Sequence, residues 1–161
     1  MTQPIPDGYQ TVTPLLSLKD TREAIEFYTQ AFGAVQKLLM PKPDGRGVAH
    51  AEIKIGNSIV MLADENPAQS CKSAETLGMS PVGFYLYVED ADSAFKKAVA
   101  GGAEVRMPLQ DAFWGDRMGQ VRDPFGYDWT FATHKKDLTP EQTSAAVKAA
   151  YSQKAQEASR S

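Results

Sequence analysis

Leu15-Leu16-Ser17-Leu18-Lys19-Asp20 and Tyr85-Leu86-Tyr87-Val88-Glu89-Asp90 are one pattern used twice: a short apolar run closed by an acidic residue. Each copy runs into an amphipathic stretch, residues 21–32 and 91–101, and each stretch ends at a Gly-Ala pair, Gly33-Ala34 and Gly102-Ala103. The offset is 70 at the acids, 69 at the Gly-Ala pairs, and 69 again between the turns Gly56-Asn57 and Phe125-Gly126. A period this long, present only twice, implies two copies of one supersecondary unit; a solenoid needs at least about three stacked repeats.

Within the first copy, residues 11–18 read as a strand with one buried face, and Asp20 as the N-cap of the helix that follows. Ala24, Ile25, Tyr28, Ala31 and Phe32 share one face of that helix, and Gly33 ends it. Residues 35–40, 48–55 and 58–63 read as three strands, with Gly56-Asn57 as a two-residue hairpin signal. The second copy repeats the order: strand 82–88, helix 90–100, strand 103–107, a long loop 108–115, then strands 117–122 and 127–133 around Asp123-Pro124-Phe125-Gly126. Each half is therefore βαβββ, spanning about residues 9–64 and 82–134. Residues 64–78 form a polar connector, with a helical turn expected near Ser73 to Leu77. Thr139-Pro140-Glu141-Gln142 carries a helix-start signature, so residues 139–161 read as a C-terminal helix and tail, packed through Val147, Ala150 and Tyr151.

Composition narrows the function classes. The 161 residues suit one compact domain, and 17 basic against 20 acidic side chains give a net charge of −3. No basic stripe interleaved with aromatics is present, so nucleic acid is not an expected partner. No apolar run reaches the length of a membrane span, about 18–20 residues. The first ten residues carry neither a basic nor an apolar export region. Cys71 is the only cysteine, which excludes an internal disulfide and a cysteine cluster for zinc. A soluble, cytoplasmic protein is expected.

The repeat, taken with Val121-Arg122-Asp123-Pro124-Phe125-Gly126-Tyr127-Asp128-Trp129, Trp114-Gly115-Asp116-Arg117 and Ala132-Thr133-His134, resembles the vicinal oxygen chelate superfamily. The nearer resemblance is to its glyoxalase/bleomycin-resistance, PhnB-like branch, over residues 9–138. The resemblance implies an α+β fold: two βαβββ modules whose strands curl into one cupped mixed sheet, with helices outside and a ligand cleft inside. It also implies a homodimer.

Metal-dependent members of that superfamily place a ligand, typically His or Glu, on the first and last strand of each module. Counting from Asp20 and Asp90, the first-strand positions here are Thr13 and Gly83; the hairpin turns place Met61 and Thr130 on the last strands. Gly83 offers no side chain, and neither methionine nor threonine is a good ligand for a divalent metal of this class. No metal or cofactor is therefore expected, and isomerase or extradiol dioxygenase chemistry loses its Lewis acid.

Period-two alternation then selects the residues that share the cleft. Thr13, Leu15 and Ser17 point one way, as do Gly83, Tyr85 and Tyr87. A two-residue hairpin at Gly56-Asn57 sets Glu52 opposite Met61, which puts His50 and Glu52 on the cleft side. The same parity, carried to the second hairpin, puts Arg117, Gly119 and Val121 on the face of Thr130, with Trp129 and Phe131 in the core. The expected ligand contacts are Thr13, Met61, Tyr85, Tyr87, Trp114, Arg117 and Thr130, with Phe113 on the rim. Tyrosine and tryptophan walls with a few polar groups describe a small-molecule site. Arg117 has two readings, an anion contact or a surface pair with Asp116 or Asp123. His134 reads as a surface or interface residue.

Three function classes remain, one of them a structural or regulatory dimer with a vestigial cleft. The first is metal-free binding of a small, partly aromatic or amphipathic molecule, as in the drug-sequestering relatives. The second is a lyase, isomerase or dioxygenase using His50 and Glu52 for proton transfer, or a relocated metal site.

Overall fold

The computed structural model describes residues 3–158. The first module contains β1 (Leu15–Leu18), α1 (Thr21–Phe32), β2 (Val35–Pro41), β3 (Val48–Ile55) and β4 (Ser58–Asp64). A linker with a short 3-10 turn and α2 (Ala74–Leu77) leads to the second module. That module contains β5 (Gly83–Tyr87), α3 (Ala91–Ala100), β6 (Glu104–Asp111), β7 (Asp116–Arg122) and β8 (Asp128–His134); α4 (Pro140–Ala158) follows.

The strands form two four-stranded mixed sheets of identical topology, β1-β4-β3-β2 and β5-β8-β7-β6. In each, the first strand runs parallel to the last, and the other pairings are antiparallel. This is the α+β, double-βαβββ architecture that the repeat implies.

The same local chemistry starts both helices. The Asp20 carboxylate accepts from the amides of Arg22 and Glu23 at 2.9 and 3.1 Å, and that of Asp90 from Ser93 at 3.0 Å. From the end of each last strand a further side chain reaches the helix start. Asp64 accepts from the Thr21 amide at 3.0 Å, and Thr133 Oγ1 from the Ala91 amide at 2.8 Å. Helix and sheet are thus tied together in each copy before any apolar packing is counted.

Burial follows the pleat. Leu16 and Leu18 are buried at 1% and 0% exposure, whereas Leu15 between solvent and strand is 62% exposed. The inner faces and the helices make one core, in which Tyr28 and Phe32 of α1 pack edge-on against Trp129 of β8 at 5.5 and 5.1 Å.

Two segments differ from the sequence reading. β6 runs on to Asp111 instead of ending near Met107, because Pro108 falls at a register break between Met107 and Gln110 where no ladder amide is required. The expected long loop shrinks to residues 112–115. α4 begins with the expected capping box, Gln142 N on Thr139 Oγ1 at 3.2 Å and Thr139 N on Gln142 Oε1 at 2.9 Å. Val147 and Ala150 are half-buried, but the helix is not packed through Tyr151, which is 69% exposed. Residues 159–161 of the expected tail lie outside the described residues.

Candidate functional site: a carboxylate that pins an aromatic wall

Alternation along β7 decides what the site contains. The β7–β8 connection is five residues long, 123–127, and leaves Arg122 opposite Asp128, Val121 opposite Trp129 and Gln120 opposite Thr130. Asp116, Met118 and Gln120 therefore share the face of Thr130, while Arg117, Gly119 and Val121 share that of Trp129 and Phe131. This corrects the expected role of Arg117. Its side chain turns to α3, where Nε and Nη2 each donate to Asp92 at 2.9 Å, and Nη1 lies 3.6 Å from Asp111. The guanidinium is spent on holding helix to sheet.

In its place the structure brings in Asp116, 2% exposed. The hydroxyls of Tyr85 and Tyr87 and the indole N–H of Trp114 each donate to its Oδ2 at 3.0 Å. His134 Nδ1 lies 2.9 Å from Oδ1, and His134 Nε2 lies 2.9 Å from Asp137. Gly115 makes this convergence possible. At φ 101°, it approaches Lys136 so closely that a Cβ would overlap the Lys136 carbonyl oxygen. Its own carbonyl accepts from the amides of Lys135 and Lys136 at 2.9 and 3.0 Å, which sets Trp114 and Asp116 beside His134.

The electrostatics fix the protonation states. Burial pulls the Asp116 pKa upward, but the bonds from His134, Tyr85, Tyr87 and Trp114 outweigh it and hold the carboxyl below its ordinary value. Burial, reinforced by Asp116, pushes Tyr85 up to about 12, and the bond to Asp116 raises Tyr87. Both tyrosines are thus fixed donors, with their rings tilted together at 5.2 Å and left 44% and 66% exposed. Trp114 and Phe113 are 38% and 37% exposed, with rings 4.8 Å apart. The result is an aromatic wall pinned from behind by one buried anion.

His134 gives this arrangement a pH dependence. Its bonds to Asp116 and Asp137 raise its pKa above 6.5. The stability from this pairing is therefore fully present below pH 6.5 and is lost as pH rises through the folded pKa. Asp116 acts in the opposite sense: its contribution is present above 3.8 and lost as pH falls through the depressed value. Between about pH 6 and pH 8 the thermal midpoint should fall more for the natural protein than for His134→Gln, as read by thermal melts across that range.

The other expected residues fall in different places. Thr130 lies opposite Tyr85, is only 5% exposed, and is within reach of Gln120 at 3.4 Å. Thr13 lies ahead of β1, its hydroxyl donating to the Gln10 carbonyl at 2.9 Å. Met61 is in the first sheet, opposite Glu52 as the hairpin reading required. Glu52 there accepts from Tyr9 and lies 3.1 Å from His50 Nε2. The bonds from Tyr9 and His50 hold the Glu52 carboxyl below its usual range and occupy both oxygens, which makes it a weak proton acceptor.

The family model described as Glyoxalase/Bleomycin resistance protein/Dioxygenase superfamily matches residues 11–131. The chain belongs to this superfamily. It is 38% identical over 140 residues to an uncharacterized protein of Mycobacterium bovis, covering 84% of this chain and 91% of that one. The crystal structure of TioX from Micromonospora sp. ML1 superposes with a TM-score of 0.61 at 27% identity, covering 81% of this chain and all (100%) of that one. The PhnB protein of Bacillus cereus has the same fold, with a TM-score of 0.59, 21% identity, and coverage of 77% and 99%.

The superfamily's metal-dependent chemistry can be tested against these strands. Strand register sets Leu15 beside Met61 and Tyr85 beside Thr130, so the first-strand neighbours of the last-strand positions are a leucine and a hydrogen-bonded tyrosine. Among the described residues, no group of three or more His, Cys, Asp or Glu side chains is placed to hold a metal ion. The side chains at the superfamily's ligand positions do not fit a divalent metal. No helix among the described residues is long and apolar enough to cross a membrane.

Proposed function

We propose that this superfamily member binds a small, partly aromatic or amphipathic organic molecule against the Tyr85–Tyr87–Trp114 wall, without a metal. The observation that carries this reading is the Asp116 carboxylate, whose bonds to all three side chains hold their rings exposed and already ordered. A ligand meeting such a wall has no rotamer entropy left to remove from it. The anion behind the rings strengthens their negative faces and favours an aromatic ligand carrying positive charge.

Proflavine, a planar aromatic cation, is a suitable probe. Saturable binding by fluorescence anisotropy is expected, weakened about tenfold by Trp114→Ala or Tyr87→Ala. Arg117→Met should leave that affinity unchanged while lowering thermal stability, because its bonds go to Asp92. A probe that fails to saturate, or whose affinity ignores both wall substitutions, would refute the reading.

The PhnB-like branch is supported by the Bacillus cereus neighbour at the level of fold. A homodimer is supported by the apolar side chains left open on the outer face of the first sheet, Leu15, Leu38 and Met40 at 62%, 40% and 50% exposure. A cytoplasmic setting is supported by the free, exposed Cys71. A second reading, enzymatic proton transfer by His50 and Glu52, draws on their 3.1 Å hydrogen bond. It requires turnover that His50→Ala abolishes and Trp114→Ala does not.

A further inference from the structure

A cavity of about 680 Å³ lies at the seam between the modules, where the β3–β4 turn faces α3 and the outer edge of β5. Its walls are mainly apolar, with Phe32 of α1, Phe84 and Leu86 of β5, and Trp129 and Phe131 of β8, and Tyr85 and Tyr87 of the aromatic wall also border it. Ala94 and Lys97 of α3 close it on one side, and Gly56 and Asn57 on the other.

The internal repeat explains why this space is open, because the equivalent place in the other half is full. There the β7–β8 turn inserts Phe125, 4% exposed, edge-on against Phe27 and Tyr28 at 5.8 and 5.9 Å. Beside it the Tyr127 hydroxyl donates to the carbonyl of Ser17 on β1 at 2.7 Å. The offset of 69 to 70 residues puts Gly56 in the place of Phe125, Ser58 in that of Tyr127, Lys97 in that of Phe27 and Ala98 in that of Tyr28. Ser58 donates to its neighbour Asn57 at 3.1 Å instead of reaching across to the β5 backbone. One side of the seam thus carries a phenyl and a phenol ring that the other side lacks.

What replaces those rings is constrained by one charge. Lys97 is the only charged residue lining the cavity, and it forms no ion pair among the described residues. Its place in the last turn of α3 suits a cation, but that alone does not require it to border an apolar space. We propose that the seam cavity, which adjoins the aromatic wall at Tyr85 and Tyr87 but does not reach Trp114, is a second binding site, for a small aromatic carboxylate. The aryl group takes the place that Phe125 and Tyr127 fill in the other half, and the carboxylate pairs with Lys97.

Calorimetric titration of the full chain with 2-naphthoate and with neutral 2-naphthylmethanol tests this. The natural protein should bind 2-naphthoate saturably. Lys97→Met should weaken it about tenfold or more while leaving 2-naphthylmethanol unchanged. Ala94→Phe, which puts a ring into the space, should abolish both. Ser58→Tyr, which restores the missing phenol from a half-exposed position, should do the same and decides the matter if Ala94→Phe fails to fold. Trp114 does not line this cavity, so Trp114→Ala should leave 2-naphthoate binding intact whatever it does to proflavine. The proposal is overturned if the natural protein gives no saturable 2-naphthoate binding. It is overturned equally if Trp114→Ala removes that binding while Ser58→Tyr keeps it.

Discussion

Asp123→Ala should lower folding stability by on the order of 4 kcal/mol. Asp123 is 3% exposed and its two oxygens serve four donors. Oδ1 accepts from the amides of Phe125 and Tyr127, each at 2.9 Å; Oδ2 accepts from the Tyr28 hydroxyl at 2.6 Å and the Trp129 indole at 2.7 Å. Truncation leaves these buried donors without an acceptor, at about 1–3 kcal/mol for each that water cannot reach. A cost of that size is a large part of the stability of a typical domain, about 5–15 kcal/mol. Asp123→Asn should cost less, since its carbonyl still serves the turn, although its amide then confronts the Trp129 N–H. Burial raises the Asp123 pKa against the bonds that lower it, so this carboxylate's contribution declines as pH rises from 3.8 through the folded value. Urea denaturation followed by tryptophan fluorescence measures all three proteins; an Ala variant within about 1 kcal/mol of the natural chain would contradict this account.

Asp116→Ala should weaken proflavine at least about tenfold, even though the aspartate itself touches no ligand. Asp116 is a positioning residue: without it Tyr85, Tyr87 and Trp114 lose their common acceptor and the wall must be ordered on binding. A merely structural role would weaken binding equally at every pH. The Asn variant separates the two roles. Its carbonyl can serve the three aromatic donors while its amide faces His134 Nδ1. Neutral His134 accepts that bond; protonated His134 opposes it with a second donor. Asp116→Asn should therefore bind proflavine nearly as well as the natural protein at about pH 8, and lose affinity as pH falls through the His134 pKa. Affinity of Asp116→Asn that is flat with pH would show that the carboxylate does not act through these bonds.

The fold was legible because its signals are local. The twin acidic caps Asp20 and Asp90, the Gly56-Asn57 hairpin and the Thr139–Gln142 capping box all lie within a few residues of the groups they bond. The site was legible only in part. Tyr85, Tyr87 and Trp114 do come together, but parity counted from a two-residue hairpin does not reach Asp116, the residue that unites them. A connection of five residues at 123–127 shifts the parity of β7 by one relative to the two-residue hairpin of the first module. A one-residue slip exchanges every side chain between faces, which is why that parity brings Arg117 into the cleft and the structure brings Asp116 instead. Asp123 shows the other limit. Its bonds to Phe125 and Tyr127 follow from the Asp-Pro-Phe-Gly turn, whereas its partner Tyr28 lies 95 residues away and only the assembled modules reveal it.

Repeating the proflavine titration on untagged protein before and after exhaustive dialysis against EDTA, with elemental analysis of both samples, asks whether any cation takes part. Unchanged affinity, with no stoichiometric transition metal in either sample, is the predicted outcome. Affinity that vanishes with the chelator and returns on adding nickel, zinc, iron or manganese would contradict a wall built from Asp116, two tyrosines and a tryptophan alone.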